Sequence, residues 1–109
     1  MGEKNIKQAI LRRIRAIPRG SVMAYGDVAA AAGFPGRARL VARILSESGG
    51  DLPWHRVLRA SGRIAFPPDS PLFAEQTQRL RAEGVRVENG RVKLQRRGVD
   101  LDALLWSPD

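Results

Sequence analysis

No cysteine occurs among the 109 residues, and histidine occurs once, at His55. The first absence excludes disulfides, thiolate metal ligands and a thiolate nucleophile together. The second leaves too few ligands for a His-rich zinc site. No apolar run approaches the roughly 18 residues of a membrane span, so no membrane-crossing helix is expected. The opening "MGEKNIKQAILRRIRAI" interleaves charge with apolar residues and lacks the apolar core of a signal peptide. Asn5 and Ile6 stand where a myristoylation motif needs Ser or Thr. The chain is therefore expected to be cytoplasmic, and nucleoid-associated if the cell is bacterial. Repeats and low-complexity tracts are also missing, and the length fits one domain over residues 1–109.

Acidic residues are scarce before position 65. Residues 1–64 carry 12 Lys/Arg against 4 Asp/Glu, and residues 65–109 carry 7 of each, so the whole formal charge of +8 lies in the first part. A basic excess this lopsided suits an anionic polymer. The plainer alternative is a solvated basic surface in an arginine-rich chain. At 43% hydrophobic and 28% charged residues, the composition is that of a globular domain.

"NIKQAILRRIRAI" places Ile6, Ile10, Ile14 and Ile17 on one stripe, predicting an amphipathic helix that "PRGS" ends. "AYGDVAAAAG" reads as a short helix stopped at Gly33, and "RARLVARILSES" as a second one after a tight "FPG" turn. Leu40, Val41, Ile44 and Leu45 of that second helix are expected to face the core. Two short helices with a brief turn, the second basic at its start, form a helix-turn-helix pattern over about residues 25–48. The small Ala29 and Gly33 fit a tight helix crossing. Many αα-hairpins share this pattern without touching DNA.

Further on, "VLRASGRIA" predicts a hairpin around Ser61-Gly62, and "VRVENGRVKL" another around Asn89-Gly90. Between them a helix starts at Ser70-Pro71 and stops at Gly84. The tail residues Leu101, Leu104, Leu105 and Trp106 are expected to pack back on the body. The elements add up to an α+β fold: a small winged-helix-like helix-turn-helix domain with short β-hairpins.

Three pieces then stand in order: "AYGDVAAAAGFPGRAR", "PWHRV" and "LRAEGV". Together they resemble the C-terminal DNA-binding domain of the O6-alkylguanine-DNA alkyltransferase family over roughly residues 5–106. That family's active-site motif is Pro-Cys-His-Arg-Val. Here Trp54 stands in the cysteine position, the departure that marks its alkyltransferase-like members. In the enzymes a thiolate attacks the alkyl carbon on guanine O6, with a histidine and glutamate relaying the proton. An indole offers no such nucleophile, so the transfer is closed to this chain and binding remains.

The resemblance implies a role for each surviving part. Arg39 is the finger that fills the gap left by an extruded base, and Tyr25 crowds the phosphate and helps rotate the nucleotide out. The helix lies in the minor groove, where degenerate base edges suit a sequence-independent search. Gly36 and Ala38 let the backbone approach phosphates, with Arg37 beside them. Pro53, Trp54, His55, Arg56 and Val57 build the alkyl-base pocket, and Ser61, Ala65, Phe66 and Pro67 lie in the loop that covers the base. Family members often carry a basic or aromatic residue where Pro67 stands. His55 and Glu83 match the proton-relay pair, with structural support their expected role here, and Arg56 is expected to brace the loop through backbone carbonyls.

The implied partners are double-stranded DNA containing O6-alkylguanine and, through the family, nucleotide excision repair proteins. No cofactor, metal or dimer is required. Each assignment has a plainer alternative. Trp54 could be a core residue after a loop proline, Tyr25 a packed helix start, and Arg39 a solvated side chain. Two rival functions remain: a transcription regulator reading the major groove, and a glycosylase or dealkylase using His55 and Glu83 to activate water.

Overall fold

The computed structural model describes residues 3–48 and 51–94, with side chains from residue 5 onward. The tail carrying Leu101, Leu104, Leu105 and Trp106 lies outside the described residues. Helix α1 spans Glu3–Arg15, strand β1 Met23–Ala24, helix α2 Tyr25–Ala31 and helix α3 Ala38–Ser48. A single 3-10 turn at Trp54–Arg56 leads into strand β2, Val57–Leu58, and helix α4 covers Pro71–Ala82. The two strands pair in parallel, Met23 opposite Val57 and Ala24 opposite Leu58.

The isoleucine stripe of α1 is the first organising feature. Ile10, Ile14 and Ile17 are buried and Ile6 is half-buried. They pack with Val28, Ala29, Leu40, Val41, Ile44, Leu52 and Val57 into one core. Leu45 is only half-buried, at the margin of that core. The helix stops at Arg15, before Ile17, because the residue preceding a proline is pushed out of helical geometry. A second core holds Leu58, Ile64, Leu80, Val87 and Val92, flanked by Phe66 and Phe73. Val57 belongs to the first core and Leu58 to the second, since neighbouring strand residues point to opposite sides. Strand β2 is thus the partition between the helix-turn-helix half and the α4 half.

Helices α2 and α4 end in the same way. Gly33 donates to the Ala30 carbonyl and Phe34 to that of Ala29; Gly84 donates to Arg81 and Val85 to Leu80. This double bond pattern needs a left-handed residue after the cap, which Gly33 (φ 97°) and Gly84 (φ 84°) supply. The start of α4 is set by Ser70, whose hydroxyl accepts from the Phe73 N–H at 3.3 Å, with Pro71 next.

Two expectations are corrected. Ala29 is buried between helices, but Gly33 is exposed and a Cβ there would touch nothing within 4 Å. Gly33 therefore serves chain reversal, not a tight helix crossing. The hairpin expected around Ser61-Gly62 is only a turn, closed by Arg59 N–H to the Arg63 carbonyl at 2.9 Å. Its incoming arm pairs in parallel with β1, and its outgoing arm bridges Arg63 to Arg91. Local turn signals located the reversal, while burial of both Val57 and Leu58 drew the strand to a different partner. The Asn89-Gly90 turn forms as expected: both residues have positive φ, 52° and 73°, and Glu88 and Arg91 exchange two backbone hydrogen bonds.

Glycine at 62 is required twice over, by its φ of 86° and because a Cβ would collide with the Val92 carbonyl oxygen. Gly62→Ala is expected to lower unfolding free energy by about 2–4 kcal/mol in urea titration. Gly36→Ala, with equal φ strain but open space, is expected to lose about 1–2 kcal/mol.

Candidate nucleic-acid interface

The site is built around one carboxylate. Glu83 caps the C-terminal end of α4, and its side chain is 6% exposed. Arg56 grips it with two parallel hydrogen bonds, Nε to Oε1 at 3.0 Å and Nη2 to Oε2 at 2.7 Å. His55 Nε2 lies 2.7 Å from Oε2, and the Gly20 N–H donates to Oε1 at 3.2 Å. The same Arg56 donates to the Ile17 carbonyl at 2.9 Å, and Arg19 donates to that of Ala82 at 3.1 Å. Three segments meet here: the α1–β1 link, the 3-10 turn and the end of α4.

A negative charge at a helix C-terminus opposes the helix dipole, and burial opposes it further. The Arg56 hydrogen bonds outweigh both and, with help from His55 and Gly20, hold the Glu83 carboxyl at about 2. Glu83 is therefore ionised at neutral pH, and the His55 nitrogen facing it carries the proton. The other ring nitrogen, Nδ1, is buried and has no partner among the described residues. Gln76 completes the scaffold from α4. It is buried, and its amide donates to the His55 and Val57 carbonyls at 3.0 and 3.2 Å.

Trp54 sits on this scaffold, half-buried. Its indole meets the His55 ring edge-to-face at 6.2 Å and the Phe66 ring at 5.9 Å. The Arg79 guanidinium lies 5.5 Å from the indole centre and is also paired with Glu75 at 2.7 Å. The indole is a flat apolar wall that remains partly open to solvent. Pro53 is half-buried beside it, whereas Ser61, Ala65 and Pro67 are exposed.

The helix-turn-helix presents the second group. Gly36, Arg37 and Arg39 are exposed at the start of α3 and Ala38 is half-buried. They line a shallow concavity with Leu40 and Arg43. The left-handed Gly36 (φ 84°) turns the chain into α3. Tyr25 opens α2, half-buried; burial pushes its hydroxyl pKa up, and the positive charge of Arg59 offsets part of that rise. The hydroxyl thus stays protonated, able to donate to a phosphate oxygen.

The chain matches the 6-O-methylguanine DNA methyltransferase DNA-binding domain over residues 5–85. The chain belongs to this family. It is 42% identical over 97 residues to an Escherichia coli DNA base-flipping protein, covering 86% of this chain and 74% of that protein. Its fold is similar to that of S. pombe Atl1 in complex with damaged DNA containing O6-carboxymethylguanine. The TM-score is 0.74 at 30% identity, covering 87% of this chain and 93% of Atl1. It is also similar to Mycobacterium tuberculosis O6-methylguanine methyltransferase, with TM-score 0.62 and 27% identity, covering 76% of this chain and 50% of that one.

Within the family frame, the structure brings together Trp54, His55, Phe66, Arg56 and Glu83. Arg56 braces one carbonyl, as expected, but its main bond is to Glu83. Gln76, Arg79, Arg59 and Gly20 belong to the site's surroundings and were not anticipated. Gln76 carries a legible signal: it shares a helix face with Leu80 and Glu83, at spacings of four and three. Arg59 and Gly20 approach through tertiary pairing, which no local pattern announces.

Removing one partner of a buried ion pair strands the other. Glu83→Gln is expected to lower unfolding free energy by about 3 kcal/mol in denaturant titration. Because its folded pKa lies below the usual carboxylate value, the stabilisation from Glu83 is complete above about pH 4.5. It is lost as pH falls toward about 2. The wild type is expected to lose stability over that window, and Glu83→Gln to show a flatter acid limb.

Proposed function

We propose that this chain is a non-enzymatic DNA-lesion recognition protein acting as a monomer. It binds duplex DNA containing O6-alkylguanine from the minor groove and extrudes the modified base. The base then rests against Trp54 with its alkyl group left in place. The observation that carries this reading is Trp54 at the head of "PWHRV", on an otherwise intact ionic scaffold, in a chain without cysteine. The E. coli relative's name and the damaged DNA bound to Atl1 support base extrusion and lesion recognition.

Each step has a physical agent. Extruding a base costs a few kcal/mol, and the Arg39 guanidinium fills the vacated stack. Tyr25 donates to the phosphate of the rotating nucleotide. Arg37 contacts backbone phosphates, with Gly36 and Ala38 small enough to allow it. The indole packs against the alkyl group and purine at low rotamer cost, and Phe66 extends the apolar wall. Handover to nucleotide excision repair follows from family resemblance.

Hydrolytic chemistry is disfavoured. A carboxylate held at about 2 is a weak general base, and its oxygens are already occupied by Arg56, His55 and Gly20. The His55 nitrogen that could accept a proton, Nδ1, is buried away from water.

Equilibrium binding to two duplexes differing only by one O6-methylguanine, at fixed near-physiological salt, tests the proposal. Tighter lesion binding is expected, with the methyl group still on the recovered strand. Equal affinities, or guanine restored, would overturn it. Arg39→Ala is expected to weaken lesion binding by about 1–3 kcal/mol while leaving thermal unfolding unchanged.

A further inference from the structure

We propose that Arg59, Arg63 and Arg91 form a phosphate-binding row that continues from Tyr25 across the 59–63 and 88–91 turns and grips the DNA strand beside the extruded nucleotide. The inference rests on the DNA-binding reading above and adds three residues and a second contact surface to it.

The row follows from backbone pairing. The parallel register sets Ala24 opposite Leu58, so Tyr25 and Arg59 are the next residues out of the paired strands. Arg59 faces Arg63 across the mouth of the 59–63 turn, through the N–H to carbonyl bond of 2.9 Å. Arg63 is bridged antiparallel to Arg91, flanked by Ile64 N–H to the Gly90 carbonyl at 2.9 Å and Val92 N–H to that of Gly62 at 2.8 Å. Arg63 and Arg91, directly opposite in the bridge, share a face and stand about 5 Å apart. Burial agrees. Leu58, Gly62, Ile64, Gly90 and Val92 are buried, whereas Arg59, Arg63 and Arg91 are all exposed.

Charge makes the row unusual. Like charges directly opposite each other in a sheet are destabilising. Yet none of the three arginines forms an ion pair among the described residues. Glu88, directly opposite Arg91 in the second bridge, forms no ion pair with it and lies 3.8 Å from Arg86. Three adjacent guanidiniums with no ion pair among the described residues are an arrangement that a phosphodiester strand relieves. Arg59 already acts on the Tyr25 hydroxyl electrostatically, which links the row to the base-extruding residue. The α3 finger and this row would then hold the duplex at two places.

The test is the salt dependence of binding to an undamaged duplex, measured for wild type, Arg63→Gln, Arg91→Gln and, as a comparison, Arg12→Gln on α1. Each phosphate contact contributes about 0.9 to the slope of log affinity against log salt. Arg63→Gln and Arg91→Gln are each expected to lower the slope by about 0.9. That corresponds to about fivefold weaker binding at 0.15 M salt. Arg12→Gln is expected to keep the wild-type slope. Unchanged slopes in the row variants, or an equal drop in Arg12→Gln, would overturn the row. Arg59→Gln, beside Tyr25, is expected to weaken lesion duplex binding more than undamaged duplex binding; an equal loss would remove its link to extrusion. Lesion preference is read separately from wild type, so lowered slopes without lesion preference would sink the recognition reading while leaving the row standing.

Discussion

A buried carboxylate clasped by a guanidinium organises this molecule. Glu83 meets Arg56, His55 and Gly20, and Arg56 reaches on to the Ile17 carbonyl. One ion pair thereby ties the α1–β1 link, the 3-10 turn and the end of α4. Such a pair is costly to desolvate and costly to break, so its net stabilisation is small while its geometric demand is large. Its consequence is positional. The turn Trp54–Arg56 is fixed from one side by Glu83 and from another by Gln76, and the indole is presented on a rigid base.

The same hub holds the shape of the Trp54–Arg56 turn whatever side chain stands at its head. Nothing in the network requires a thiol. The family resemblance assigns His55 and Glu83 to proton relay, and their geometry here serves equally to hold a wall. Glu83, ionised and fully bonded, fixes the His55 ring, and the ring's other nitrogen is buried, so the pair resists distortion. In the proposed reading, the indole in the cysteine position offers apolar contact area where the enzymes carry a nucleophile.

Much of this was readable in the sequence where the cause was local. The isoleucine stripe, the Gly33 and Gly84 stops, the Ser70-Pro71 start and the Asn89-Gly90 turn each follow from a few neighbouring residues. "PWHRV" carried the site because its residue types are rare in combination. What escaped was set by distant pairing. Strands β1 and β2 have two residues each, and Val57 and Leu58 are both buried, so no alternation marks them. The Ser61-Gly62 signal was a true turn with a misassigned partner. Gln76 and Arg79 look like ordinary helix-surface residues until α4 is laid against the turn, and Arg59 gains meaning only from the register with β1.

The central claim is that Trp54 is the surface on which an extruded alkylated base rests. Its fluorescence measures this most directly, in protein carrying Trp106→Phe so that one tryptophan reports. Titration with matched duplexes is predicted to change Trp54 emission with O6-methylguanine DNA and to leave it nearly unchanged with undamaged DNA, both at saturation. Identical emission in the two saturated complexes, with lesion preference intact, would place the base elsewhere and contradict the account.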